Sequence, residues 1–188
     1  MEFHDCVSAR RSVRNFAPDP VDREVILDCL NAARLSPSSL NCQPWRFLVI
    51  DNPILKNKVA GAICNPLLKI NLHARQAPVL ILVVSDLSES ANPLVRTALR
   101  RMGMVPYDIG SAVQTLCLAA ADHGLGSCIL GSIRNRQQLR SLLDLGSNLE
   151  IHLAVALGYP ASGQIEAPQE RLPLEELVTF NPGSEEDR

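Results

Sequence analysis

The chain has 188 residues, of which 46 % are hydrophobic and 20 % charged, with a formal net charge of −2. That length fits one domain, and that apolar fraction supports a substantial buried core and argues against disorder. The slight negative charge gives no electrostatic case for nucleic acid or an anionic membrane, and no apolar run approaches the roughly 20 residues of a membrane-spanning helix.

The opening Met1-Glu2-Phe3-His4-Asp5 has no basic end followed by an apolar stretch, so no secretory signal is expected. Next comes Arg10-Arg11-Ser12-Val13-Arg14-Asn15-Phe16, three guanidinium groups and a hydroxyl within five residues. That set suits a phosphate and a polar sugar chain. Taken alone, it also reads as the solvated basic end of a helix. Asp19 is expected to cap a helix with Pro20 in its first turn and Asp22 and Glu24 complementing the dipole. Val25, Ile26, Cys29, Leu30 and Ala33 fall on one face of it, and Pro37 ends it by disfavouring helical geometry at Ser36.

The loop Ser36-Pro37-Ser38-Ser39-Leu40-Asn41-Cys42-Gln43-Pro44 offers hydroxyls and amides able to read the edge of a planar heterocycle. Its residue types are equally those of an ordinary turn. A strand is expected over 45–50, opened by the single tryptophan, Trp45, as a core residue; a helix follows over 53–63. The run 79–84 is continuously β-rich and predicts a buried strand. Residues 88–106 lack a clean pattern, and Arg96, Arg100 and Arg101 read there as a solvated helix face. Residues 108–123 predict a helix apolar nearly all round, fit for a core or a subunit interface, with Gly124 as its stop.

A short strand is expected over 127–130, a short amphipathic helix over 137–143 and a last strong strand over 151–157. A loop and a final amphipathic helix are the plain reading of 158–178. The polar residues 181–188 read as a disordered tail, leaving 1–180 as one domain. Strands and helices intermix without regular alternation, which predicts an α+β fold with a central mixed β-sheet flanked by helices on both sides. The six cysteines are scattered with no CxxC, and the four histidines are equally dispersed. Both patterns point to reduced thiols in a cytoplasmic protein without a metal site.

Taken in order and spacing, Arg10 to Phe16 and Pro37 to Trp45 resemble the nitroreductase family of FMN-dependent NAD(P)H oxidoreductases, whose signatures are an RRSxR-like start and a PSSxNxQPW-like loop. Gly124-Leu125-Gly126-Ser127-Cys128-Ile129-Leu130-Gly131-Ser132 is similar to the family's GLGTCWIGG-like segment; it lies between a helix and a strand, the reverse of a dinucleotide fingerprint. Gly158-Tyr159-Pro160 and the Arg171-Leu172-Pro173-Leu174-Glu175-Glu176 run extend the likeness towards the carboxy end.

The resemblance implies a nitroreductase-like fold, an intertwined homodimer with FMN at the subunit interface, and NAD(P)H as electron donor. It implies that Arg10, Arg11, Ser12 and Arg171 take the phosphate and ribityl side of FMN, and that Arg14 lies nearer the ring. Pro37, Ser38, Ser39 and Asn41 would contact the flavin from the neighbouring subunit. Ile129, Gly131 and Ser132 would run along the ring near N5. Asn71 would reach the pyrimidine, with His73 and Arg75 standing where some members have a lysine. Gln169 replaces a basic residue common in the family, which implies one cation fewer at the phosphate. The implied reaction is a ping-pong hydride transfer through flavin N5 to a nitroaromatic, a quinone or a similar small acceptor, with no acid–base dyad required. Specialised relatives that fragment flavin or dehalogenate reductively, and a flavin-binding regulatory protein with little turnover, are the alternatives.

Overall fold

The computed structural model describes residues 1–87, 92–162 and 170–182. The Gln169 position and nearly all of the expected tail lie outside them. The architecture is α+β: a four-stranded sheet in the order β1-β2-β4-β3 with helices on both faces. Its strands are β1 (Trp45–Ile50), β2 (Val79–Ser85), β3 (Gly126–Leu130) and β4 (Glu150–Gly158). The helices are α1 (Phe3–Ala9), α2 (Arg23–Arg34), α3 (Pro53–Ile63), α4 (Pro93–Met102), α5 (Val105–Asp122) and α6 (Arg136–Leu142).

Strand β2 explains the layering. Its side chains alternate between the faces of the sheet. Val79, Ile81 and Val83 join the core under α2 and α5, and Leu80, Leu82 and Val84 join the core under α3 and α6. All seven residues of β2 are buried, which is why the run carries no polar alternation.

Every strand pair in the sheet is antiparallel, where a mixed sheet was expected. Ile50 at the end of β1 lies opposite Leu80 at the start of β2, so α3 must leave one edge of the sheet and the segment after it must return there. The sequence signals α3 but not the return. The parallel pairing among the described residues is one isolated bridge, Ser12 to Ser127.

Other boundaries shift for local reasons. Val21 is drawn into the core, which leaves Asp22 rather than Asp19 at the mouth of α2, where its side chain accepts from Glu24 N at 2.9 Å. Helix α5 starts a turn earlier than expected, since Pro106 sits in its first turn without losing a hydrogen bond. Helix α4 does carry a sequence signal: Asn92 accepts from Leu94 N at 2.9 Å, and Pro93 follows the cap. No final amphipathic helix forms among the described residues. Residues 170–182 are all exposed, with one 3₁₀ turn at Leu174–Glu176. A short helix with no surface to pack on is marginal in water. The described residues contain no helix long and apolar enough to cross a membrane.

Candidate functional site

The Arg10 to Arg14 segment leaves α1 and runs beside the start of β3. Val13 N donates to Ser127 O at 2.9 Å, and Ser12 bridges Ser127. Gly126 makes the approach possible: a Cβ there would stand 2.6 Å from Val13 Cγ2. Arg10 and Arg11 are half-buried and line a hollow of about 240 Å³ with Gly124, Gly126, Ser127 and Pro160. Arg11 also donates to Ser8 O. The GYP segment closes the same edge, with Ala17 N donating to Tyr159 O at 2.8 Å.

Arg14 is exposed and makes a long 3.5 Å approach to Ser12 O. It forms no ion pair with an acid among the described residues. Its charge reaches both His73 and Cys128. Burial and then Arg14 lower the imidazole of His73; burial raises the thiol of Cys128, against a smaller lowering by Arg14. His73 Nε2 is enclosed with no hydrogen-bond partner among the described residues. It lies on the 3₁₀ turn Leu72–Arg75, which starts from Asn71 in left-handed backbone. Asn71 Nδ2 donates to Ser132 O at 2.5 Å, tying that turn to the end of β3. Arg75 points elsewhere: its Nη2 lies against α3 near Gly61, and its charge lowers the Cys64 thiol against the upward pull of burial.

Strand β3 is buried except at Ile129, which is 45 % exposed. Gly131 and Ser132 beyond it are open, and nothing lies within 4 Å of a Cβ built on Gly131. Arg10 to Arg14, Asn71 to His73 and Ile129 to Ser132 therefore converge on one edge of the sheet.

The Pro37 to Asn41 loop is elsewhere. Ser36 Oγ donates to Thr115 Oγ1 at 2.9 Å, and Ser39 donates through N and Oγ to Asp108 Oδ1, each at 3.0 Å. Asp108 sits in the first turn of α5 and Thr115 just past its middle. Helix α1 packs at the other end, where the amino terminus and Cys6 meet Asp122. From Asp108 to Asp122 the helix rises about 21 Å at 1.5 Å per residue. The Asp108 anchor of the loop and helix α1 thus lie toward opposite ends of α5. Arg171 stands on the exposed 170–182 segment and donates to Glu170 O at 2.8 Å. Asp108 is a partner that sequence reasoning missed: it looks like an acid in a helix's first turn, and the loop it holds is 69 residues away.

The donor set fits a phosphorylated planar cofactor. It combines half-buried guanidinium groups at a hollow, open backbone past a strand end and, among the described residues, an exposed cation without an acid partner and an imidazole nitrogen without a hydrogen-bond partner. No group of three or more His, Cys, Asp or Glu among the described residues could hold a metal ion.

Known proteins resemble this chain over most of its length. The family model described as Nitroreductase family matches residues 7–159. An NADH dehydrogenase of Thermus thermophilus is 30 % identical over 91 % of this chain and 92 % of its own length. A nitroreductase of Desulfovibrio desulfuricans, crystallised in complex with FMN, is 30 % identical with a TM-score of 0.76, covering 97 % of this chain and 98 % of that one. An iodotyrosine deiodinase of Hydra vulgaris is 28 % identical over 94 % of this chain and 72 % of its own length. With the family model spanning most of the sequence, and the arginine segment, the asparagine turn and the strand end meeting at one edge, the chain belongs to the nitroreductase family of FMN-dependent NAD(P)H oxidoreductases.

Proposed function

We propose that this chain is a homodimeric enzyme that passes a hydride from NAD(P)H to a small acceptor such as a nitroaromatic or a quinone. The observation that carries the reading is the convergence of three separate segments at the β3 edge. FMN, when bound, supplies the hydride-accepting N5. The chain's own residues would hold and orient it. Arg10, Arg11 and Ser12 bind the phosphate and ribityl side. Planar guanidinium groups suit a phosphate because they bind it with paired hydrogen bonds. Arg14 would stabilise negative charge on the reduced ring, and Asn71 would hold the pyrimidine edge. Ile129, Gly131 and Ser132 leave room for the ring along the strand end. Arg171 completes the phosphate site.

The separation along α5 supports a site shared between two chains. The loop is anchored at Asp108, about 21 Å along α5 from the Asp122 contact of α1, and a loop so placed does better on a second chain's flavin. The apolar residues of the exposed carboxy segment, Leu172, Leu174, Leu177 and Phe180, are each at least 61 % exposed and would be covered in the same pairing. Six buried thiols with no disulfide among the described residues accord with a cytoplasmic setting.

Steady-state oxidation of NADH and NADPH with a quinone acceptor tests the activity. Parallel double-reciprocal lines are expected. An FMN-loaded protein that oxidised neither nucleotide would overturn the reading.

A further inference from the structure

The loop from Ser38 to Gln43 is held in an unfavourable shape. Leu40, Asn41 and Gln43 all adopt positive φ, at 53°, 54° and 43°. Left-handed backbone crowds a Cβ against the next carbonyl, and of these residues only asparagine tolerates it well. Such strain persists where surrounding contacts over-determine it. Those contacts centre on Asp108. Its Oδ1 accepts from both Ser39 N and Ser39 Oγ at 3.0 Å, and Cys42 Sγ lies 4.0 Å from its Oδ2. Ser38 Oγ adds a bond from Gln43 N at 2.9 Å across the same turn.

Asp108 is only 6 % exposed. It sits on α5 between Val105 and Ile109, both buried in the core, so the clasp has a rigid base. The clasp grips the inner side of the loop and leaves Leu40 74 % exposed and Asn41 open.

We propose that Asp108 is a positioning residue for the flavin site: by gripping Ser39 it fixes the loop that presents Asn41 to the FMN held by the partner chain's arginines. It touches no part of the cofactor itself. This inference rests on the shared-site reading above, and its test separates the two.

Homodimers of Asp108→Ala are expected to bind FMN at least tenfold more weakly, with faster amide hydrogen exchange at Ser39 and at residues 40–43 and unchanged exchange in β2. Asp108→Asn keeps an acceptor for Ser39 and should restore most of the affinity. Mixing chains then assigns the lesion to the loop half of the site. An Asp108→Ala chain mixed with an Arg10→Ala chain should regain one FMN site of parental affinity and roughly half the parental activity per dimer. Mixed with Asn41→Ala, it should regain neither. If the alanine chain fails to fold, Asp108→Ser, too short to reach Ser39, carries the same mixing test. The control is Arg10→Ala with Asn41→Ala. If the control recovers and the Asp108 mixture with Arg10→Ala does not, Asp108 is no positioning residue. Parental affinity and exchange in the Asp108→Ala homodimer would overturn the proposal equally. If the control itself fails in a verified heterodimer, the shared site falls and the proposal falls with it.

Discussion

Arg14 shows what a single residue contributes when its charge has no acid partner among the described residues. It is exposed, forms no ion pair with an acid among the described residues, and lies close enough to His73 to disfavour a proton there. A fixed cation stabilises negative charge that develops nearby, and so raises the potential of a flavin that gains charge on reduction. Arg14→Ala is therefore expected to lower the midpoint potential of bound FMN in a redox titration; an equal or higher midpoint would remove Arg14 from the ring site. The histidines give a second prediction. His73 and His152 are both held below the ordinary value of 6.5, chiefly because burial disfavours the imidazolium. Below pH 6.5 the unfolded chain takes up protons that the folded chain resists, so stability is level above that pH and falls as pH drops towards the lowered folded values. Urea titrations from pH 8 to pH 5 should show that loss, and replacing both histidines with glutamine should flatten it. At this scale the cluster Arg10 to Arg14 was legible because its chemistry is written in adjacent residues. Asp108 was not, since its meaning depends on a loop far away in sequence.

Among the elements, β3 and β4 set the site by closeness of approach. Gly126 admits Val13, and Gly158 admits Pro78, whose Cδ would stand 2.4 Å from an added Cβ. Alanine at either position should destabilise the fold by about 1–3 kcal/mol, the usual cost of overpacking. For a chain of this size that is a fall in Tm of roughly 2–12 °C. Gly126→Ala should also weaken FMN binding, because Val13 adjoins Arg14, whereas Gly158→Ala should act mainly on stability. Calorimetry beside an FMN titration separates the two effects. The strands were legible where apolar runs rich in β-branched residues are unbroken, as in 79–84. The antiparallel order of the sheet was not, because it depends on how the segment after α3 turns back. Helix α1 has one buried residue, Cys6, too little apolar pattern to read from the sequence.

The whole molecule is proposed to work as a pair of chains. Sedimentation of the FMN-loaded protein should give twice the chain mass of 20.5 kDa, and a monomer at working concentration would defeat the shared site. The fold family was legible from motif order across the chain, and the family model spanning residues 7–159 bears it out. The pairing is only hinted at, by apolar residues that the chain's own core leaves outside. The most direct test of the central claim is titration of flavin-free protein with FMN, followed by quenching of flavin fluorescence, in parent and Arg10→Ala. The account predicts one FMN per chain in the parent, no comparable binding of FAD, and a loss of roughly tenfold to a hundredfold in the variant, as expected for removing about 1.5–3 kcal/mol of charge-assisted phosphate contact. A parent that binds no FMN, or an Arg10→Ala variant that binds it with parental affinity, would contradict it.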